Sequence, residues 1–339
     1  MFIKALASIS PQPGFAANEL PEQPIVYNTN RLSCVEPEYK DWVDPKIIRR
    51  MSRIIKMGVA AAMKCLKDAG IEVPDAIVTG TAYGCLEDTG VFLNRMIEFK
   101  EEMLNPTSFI QSTHNTVGAQ IALSVKCYGY NNTFVHRGFS FESALLDAIL
   151  LLKDGEVNNV LVGAADEITN VSFSILNRFG LYRDGEVSTG NLFGPDAKGT
   201  VAGEGAAFFL LTDEPAPDNC AALDAIHSFY KPGSQEAVVS EIEAFLAAQS
   251  LNAGEIDLVI TGMNGDSAND EIYRFLANGI FAGIPRSAYK HLCGEYPTSS
   301  AFALWMAATS LRKSDRSQKV LIYNHYKHIH HSLFLLSSC

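Results

Sequence analysis

Four of the eight histidines in this sequence stand close together, and imidazoles at such spacing could bind a metal. They are His325, His328, His330 and His331. On a strand, His328 and His330 would share one face, as paired zinc or nickel ligands do. No cysteine or carboxylate lies at ligand spacing within this segment. The sequence therefore favours a polar loop in a pocket or an interface, and we predict no metal and no cofactor.

A serine at the start of a helix could act as a nucleophile. Ser140 precedes a helical pattern, and His114 or His136 could serve as its base, which would make the protein an acyltransferase or a hydrolase. A serine in this position more commonly caps the helix, and we predict that role for Ser140. Cys85 and Cys293 are candidate pocket thiols, although free cysteines usually pack as small buried hydrophobes.

A basic run stands out in a sequence with an excess of acidic residues. It contains Arg49, Arg50, Arg53 and Lys56. Helical spacing would put Arg49, Arg53 and Lys56 on one side, next to an apolar face. Such a run is typical of the solvated rim of an amphipathic helix, and the alternative is a docking site for an acidic protein.

Helices and strands alternate along the chain in a pattern that repeats. The sequence pattern predicts a strand at 2–8 and a loop at 11–45. From Pro45, apolar residues recur at helical spacing and predict a helix that ends at Gly70. The helix at 57–70 and the strand at 76–84 are repeated by the helix at 236–251 and the strand at 257–265. A second pair, 142–156 with 158–166, is repeated by 298–313 with 319–326. This pattern predicts parallel β-α-β units in two similar halves, joined near 213–222.

Composition excludes several classes of protein. The 339 residues include 27 Lys and Arg against 38 Asp and Glu, a formal charge of −11 that makes nucleic acid an unsuitable partner. The seven cysteines are scattered, odd in number and never spaced as CxxC, which favours a reducing compartment. The most apolar helical stretch, 143–153, is interrupted by Asp147 and is far shorter than the roughly 20 residues of a membrane span. We therefore predict a cytoplasmic protein with no membrane span.

Three segments together carry a resemblance to a known family. They are 49–71, 193–214 and the helix before the sequence NNVLVGAADE, and the most specific motif is GEGA at 203–206, preceded by Asp196 and Gly199. With these segments the chain resembles the β-ketoacyl synthases, condensing enzymes of the thiolase-like fold. The resemblance covers nearly the whole chain and is looser after Ala222. It implies an α/β fold, a duplicated thiolase-like αβαβα layered sandwich, with an N-terminal half at 1–215 and a C-terminal half at 216–339.

The resemblance also shows which catalytic residues differ. In the family, a cysteine at the N-terminus of a buried helix becomes a thiolate, and two histidines from the second half activate the malonyl thioester. Matching the motifs places Phe139 at the cysteine, Asn264 at the first histidine and Glu295 at the second. Lys290 is retained five residues before the second position, whereas the lysine's usual acidic partner falls on Leu304. We therefore expect no catalytic residue at these positions and no independent condensing activity.

The resemblance further implies an acyl pocket and a docking site. The family's glycine-rich loop near the C-terminus corresponds to 324–331, where imidazoles replace the glycines. The acyl-pocket candidates are Phe139, Ser140, Asn264, Lys290, Glu295 and His328. The docking candidates for an acyl carrier protein are Arg49, Arg53 and Lys56. Family members dimerise through the strand before the nucleophile, here 132–136.

These features predict a subunit similar to a chain length factor. Such a pseudoenzyme dimerises with an active ketosynthase, or with itself, and shapes the cavity for the growing chain in fatty-acid-like, polyketide or aryl-polyene biosynthesis. Two alternatives remain open at this point. The chain could be an acyltransferase or decarboxylase that uses Ser140, with Asn264 and Glu295, or a homodimeric protein that binds acyl groups or a carrier protein.

Overall fold

Ten strands form a single mixed sheet in the computed structural model, which describes residues 1–194, 196–314 and 316–339. The strands are β1 (Phe2–Ile9), β2 (Ala76–Gly80), β3 (Tyr130–Phe134), β4 (Asn159–Asp166), β5 (Gly205–Thr212), β6 (Ala221–Tyr230), β7 (Leu258–Thr261), β8 (Arg286–Ala288), β9 (Lys319–Tyr326) and β10 (His330–Ser337). Their order is β3-β2-β4-β5-β1-β6-β10-β9-β7-β8. The outer strands pair in parallel and the six inner ones antiparallel.

Eleven helices accompany the strands in the described part of the chain. They are α1 (Pro45–Ile48), α2 (Arg53–Ala69), α3 (Leu86–Glu98), α4 (Pro106–Gln111), α5 (Thr116–Val125), α6 (Ser140–Lys153), α7 (Asn170–Arg178), α8 (Gln235–Ala248), α9 (Ser267–Asn278), α10 (Lys290–Cys293) and α11 (Ser300–Arg312). Short 3₁₀ turns lie at Tyr39–Asp41, Arg137–Phe139, Thr189–Asn191 and Ala253–Glu255.

The two halves of the sheet repeat one topology. Read outward from the middle, β1-β5-β4-β2-β3 matches β6-β10-β9-β7-β8. The middle junction is short, because β1 and β6 share only the pairs Phe2 with Ala222 and Ile3 with Ala221. The predicted duplication is therefore present, and the connection between β5 and β6 spans 213–220. The assignment of domains to 1–215 and 216–339 stays a prediction.

Helices form three layers around the two half-sheets. The central layer consists of α6 and α11, whose Phe141 and Trp305 share one core with Phe209 of the first half and Phe334 of the second. Helix α2 covers the outer side of the first half, and α8 and α9 cover the second half. This order of layers is the αβαβα sandwich predicted from the resemblance.

The helix predicted from Pro45 to Gly70 is interrupted. Ser52 has an extended backbone (φ −69°, ψ 174°), and the side chain of Gln111 donates to the carbonyl of Arg50, so α1 and α2 are separate helices. The predicted end is correct, since Gly70 follows α2 with a left-handed φ of 69°. No Gly or Pro lies near the interruption, so the sequence gives no local sign of it. No helix in the described ranges is long and apolar enough to cross a membrane.

Candidate functional site

Phe139 lies buried at the start of central helix α6, immediately after a tight turn. Its ring makes edge-to-face contacts with His330, at 4.7 Å between ring centroids, and with His136, at 5.7 Å. The middle residue of this turn must be a glycine, because a Cβ added at Gly138 would lie 2.7 Å from the Cβ of Tyr326. Phe139 therefore fills the space at the helix N-terminus with an apolar ring.

Ser140 does not cap α6, which corrects the sequence prediction. Its Oγ accepts from the backbone N–H of His136 and donates to the carbonyl of Arg137, both at 2.8 Å. These bonds close the turn that precedes the helix instead of binding the free N–H groups of its first turn. No imidazole in the described residues is hydrogen-bonded to Ser140 Oγ, so the predicted serine–histidine pair is not formed.

Three of the residues that the resemblance singled out form one buried network. Lys290 Nζ donates to both carboxylate oxygens of Glu295, at 2.8 and 3.0 Å. Asn264 Nδ2 donates to Glu295 Oε2 at 2.7 Å, and Asn264 Oδ1 accepts from the backbone of Asp266 at 3.0 Å. The carboxylate thus compensates the buried ammonium, and the amide joins them.

The network contains a contact that sequence analysis missed. Leu304, where the resemblance placed the family's usual acidic partner, is fully buried in the apolar core, and Lys290 pairs with Glu295. Asp270 was also missed. It accepts from the backbone N–H groups of Asn264 and Gly265, both at 2.9 Å, and burial raises its pKa to about 6. Its position in α9, six residues after Asn264, gave no signal in the sequence.

A narrow cleft lies beside this network, with a volume of about 40 Å³. Asn264 and Glu295 line it together with Tyr83, Tyr182 and Tyr326. Phe139, Ser140, Lys290 and His328 are not among the lining residues, so four of the six pocket candidates do not face it. A water molecule needs roughly 10–15 Å³ of such space, so the cleft has room for a few water molecules.

Two acidic residues at the end of β4 complete the walls around the cleft. Asp166 accepts from the hydroxyls of Thr81 and Thr298 and from the N–H of Ala82, at 2.8–2.9 Å, and so ties the first half to the second. Burial raises its pKa. Burial raises the pKa of Glu167, which lines the cleft, to about 7. The sequence feature that could have pointed to Asp166 and Glu167 is the presence of two adjacent acidic residues at the end of a buried strand.

Comparison with known proteins defines the family. Residues 20–216 match the model of the β-ketoacyl synthase N-terminal domain. The chain belongs to the β-ketoacyl synthase family. A search of curated protein sequences found no match.

Solved structures of ketosynthases share the whole fold. The ishigamide ketosynthase/chain length factor superposes with a TM-score of 0.80 at 18% identity, covering 100% of this chain and 98% of the other. AntDE:AntF, described as a type II PKS acyl-carrier protein in complex with its ketosynthase bound to the hexaketide, gives 0.78 at 14%, with 100% and 99% covered. The ketosynthase ApeO in complex with its chain length factor ApeC, from Xenorhabdus doucetiae, gives 0.75 at 17%, with 100% and 98% covered.

The histidine cluster of this β-ketoacyl synthase homologue forms a β-hairpin. His325, the penultimate residue of β9, lies opposite His331 of β10, and His328 lies in the turn with a φ of 52°. His328 and His330 therefore do not share a strand face, which corrects the prediction. No three His, Cys, Asp or Glu side chains within the described ranges are placed to hold a metal ion. Burial lowers the pKa of His331 to about 4 and that of His325 well below its ordinary value.

His328 lies away from the cleft, although it was predicted to line an acyl pocket. It borders a separate depression of about 370 Å³ with Glu271 of α9, Val238 of α8 and His331. The backbone N–H of His328 donates to His325 Nδ1 at 3.2 Å, and the two rings stack with centroids 4.3 Å apart. The hairpin turn therefore separates this depression from the cleft.

The basic run does not form one helical face, which corrects the prediction for it. Arg49 follows α1, whereas Arg53 begins α2 after the interruption. Arg53 pairs with Glu36 and, at 2.6 Å, with the fully buried Glu204 of the GEGA motif. Glu204 also accepts from the backbone of Cys34 and Ile168. Arg53 is thus an internal link between the early loop and the motif, and it is not free to dock a partner.

Strand β3 is an edge strand in the described part of the chain and bonds only to β2. Val135, directly after it, is 47% exposed, and exposed apolar residues surround this edge. They include Leu123, Tyr128, Leu146 and Leu150. An exposed edge of this kind is a template for pairing with another chain.

Proposed function

We propose that this β-ketoacyl synthase homologue is a non-condensing subunit, similar to a chain length factor, that pairs with an active ketosynthase. The observation that carries the proposal is the buried network of Asn264, Lys290 and Glu295. Its amide and carboxylate are occupied by each other and by the lysine. Neither can serve as the imidazole that polarises a thioester carbonyl and stabilises the enolate.

The helix N-terminus supports the same proposal. In a condensing enzyme this position carries a thiolate that accepts the acyl group. Phe139 has no nucleophilic atom, and its ring is packed against His330. The Ser140 hydroxyl beside it is already bonded to two backbone groups. We propose that the pathway is polyketide, aryl-polyene or fatty-acid-like biosynthesis. The proposal is supported by the similar structures, which include pairs of a ketosynthase and a chain length factor.

Incubation of the purified chain with malonyl and acyl carrier-protein thioesters tests the loss of condensation. We expect neither released CO₂ nor an elongated product, while an active ketosynthase run in parallel gives both. Phe139→Cys should be no more active in condensation, because Asn264 and Glu295 still occupy the positions of the two imidazoles. A turnover of ~1 s⁻¹ or more by the unmodified chain would contradict the proposal.

The acyltransferase alternative makes a separate prediction. A nucleophilic Ser140 would become acylated by an acyl thioester, and intact mass spectrometry with Ser140→Ala as the control would detect the adduct. We expect no adduct at Ser140, because its hydroxyl lacks a base and closes a backbone turn. Co-expression with a ketosynthase distinguishes the chain-length-factor-like subunit from a homodimeric binding protein. A homodimeric binding protein would remain paired with itself and would not form a heterodimer with the ketosynthase.

A further inference from the structure

Two helices begin at the depression of about 370 Å³ that lies on the outer side of the second half. Gln235 at the start of α8 and Ala268 in the first turn of α9 both border it. Val238 and Ile272, which are buried, supply apolar wall. Ligand pockets commonly measure roughly 300–1,000 Å³ and combine apolar walls with a few polar groups. The depression therefore has the size and the kind of lining of a small-molecule site.

Backbone N–H groups at both helix starts lack an acceptor. The N–H groups of Gln235 and Ala268 form no hydrogen bond within the described residues. The capping side chains of Ser234 and Asp266 accept from later N–H groups of α8 and α9 instead. Because the positive ends of two helix dipoles meet at the depression, a negatively charged group is favoured there.

A buried imidazole adds a third donor. His331 borders the depression and is 1% exposed, and its Nε2 has no hydrogen-bond partner in the described part of the chain. Its ring is neutral at pH 7, because burial lowers its pKa to about 4. Its Nδ1 lies 2.9 Å from the hydroxyl of Tyr323, which forms no other hydrogen bond there. The hydroxyl therefore donates to Nδ1, and the proton of the imidazole is on Nε2.

The orientation of His331 brings this donor to the depression. Tyr323 packs in the core of the second half and does not border the depression. Since Nδ1 is turned toward Tyr323, the edge of the ring that faces the depression carries Nε2. Buried polar groups are nearly always hydrogen-bonded in folded proteins, so a ligand with an acceptor group would satisfy this one.

One carboxylate limits which ligand fits. Glu271, in the second turn of α9, borders the depression and is exposed. It forms neither an ion pair nor a side-chain hydrogen bond within the ranges that the structure describes. It repels a simple anion and attracts an ammonium group. A ligand that carries both a carboxylate and an ammonium group therefore satisfies the three donors and Glu271 together.

We propose that the depression between α8, α9 and the β9–β10 turn binds a small apolar amino acid. The carboxylate of the ligand accepts from the two helix starts and from His331 Nε2, and its ammonium group pairs with Glu271. Its side chain packs against Val238 and Ile272. The hairpin turn separates this site from the cleft, and the inference does not depend on pairing with a ketosynthase.

Isothermal titration calorimetry of the full-length chain with L-leucine tests the site. L-Leucine carries the carboxylate, the ammonium group and an apolar side chain, whereas L-leucinamide lacks the carboxylate and 4-methylpentanoate lacks the ammonium group. We expect L-leucine to bind with a Kd of about 1 mM or lower. We expect each of the two analogues to bind about 10-fold more weakly or worse, because each leaves one set of charged contacts unmade.

Variants show whether the ligand binds in the depression. Ala268→Phe fills it from an exposed position of α9 and should abolish L-leucine binding. Its control, Ala244→Phe, adds the same ring at an exposed position of α8 outside the depression and should not affect binding. Glu271→Gln should raise the Kd of L-leucine about 10-fold and should not weaken 4-methylpentanoate. Glu243→Gln, exposed on α8, is the charge-matched control and should change neither.

Several outcomes would overturn the proposal. One is no binding of L-leucine up to about 10 mM. Another is binding that Ala268→Phe leaves intact, or that Ala244→Phe abolishes equally. If 4-methylpentanoate or inorganic phosphate bound as tightly as L-leucine, the depression would be a site for simple anions. Condensation and pairing with a ketosynthase are measured separately, so this site and the subunit proposal can fail independently.

Discussion

At the scale of single residues, Phe139, which the resemblance placed at the family's catalytic cysteine, is a buried packing residue. Phe139→Ala should lower the free energy of unfolding by about 3–5 kcal/mol, because the ring is buried and its removal leaves a cavity. Chemical denaturation measures this. Phe179→Ala is the control, since that ring is 76% exposed and its truncation should change stability little. Equal unfolding midpoints for the two variants would show that the buried ring of Phe139 does not stabilise the fold.

Glu142, in the first turn of α6, predicts a dependence of stability on pH. Burial raises its pKa to about 7, from 4.5, although Ser332 donates to one of its oxygens at 3.0 Å. The folded state therefore binds this proton more tightly than the unfolded state. The resulting stability is complete below pH 4.5 and is lost as the pH rises through 7.

Glu142→Gln removes this dependence. The difference in unfolding free energy between the variant and the wild type should grow in favour of the variant between pH 5 and 8, by up to about 3 kcal/mol. Urea denaturation at several pH values measures it. Subtracting the wild type cancels the similar contributions of Glu167 and Asp270, whose pKa values are also raised by burial. A pH-independent difference would show that Glu142 is ionised in the folded protein.

At the scale of elements, two glycines in open space test whether backbone conformation alone matters. Gly70 ends α2 with a φ of 69°, and an added Cβ there would meet no atom within 4 Å. Gly70→Ala should therefore destabilise by about 1 kcal/mol through backbone strain. Gly90 in α3 is equally open, so Gly90→Ala should stabilise by about 0.5–1 kcal/mol. Thermal unfolding of both variants compares them, and equal signs would contradict this explanation.

Element-scale features also show what the sequence could and could not reveal. The paired repeats and Gly70 were predictable because hydrophobic period and turn residues are local properties. The interruption before Arg53 was not predictable from the sequence. It depends on the extended backbone of Ser52 and on contacts of the chain with Gln111 and the distant Glu204. The same holds at the site. The resemblance located Asn264, Lys290 and Glu295, but their mutual contacts, and the roles of Asp166 and Asp270, exist only through the tertiary fold.

At the scale of the whole molecule, the exposed edge beyond β3 predicts self-association or pairing. We expect the purified chain to be a dimer by light scattering at micromolar concentration, and a heterodimer when its ketosynthase is co-expressed. Val135→Glu should weaken the dimer, because a charge replaces an apolar contact at the edge strand. Val73→Glu is the matched control, since both valines are 47% exposed, and it should not weaken the dimer. A stable monomer, alone and with the partner, would rule out this interface.

The position of β1 has a consequence for how the chain acquires its structure. The strand at Phe2–Ile9 lies in the middle of the sheet and pairs with β5, about 200 residues later, and with β6 beyond it. During synthesis this segment can pair only after β5, and then β6, has left the ribosome. Such distant pairing slows folding and leaves the apolar segment open to aggregation in the meantime. The two halves of the sheet can therefore join through β1 only after β6 has been synthesised.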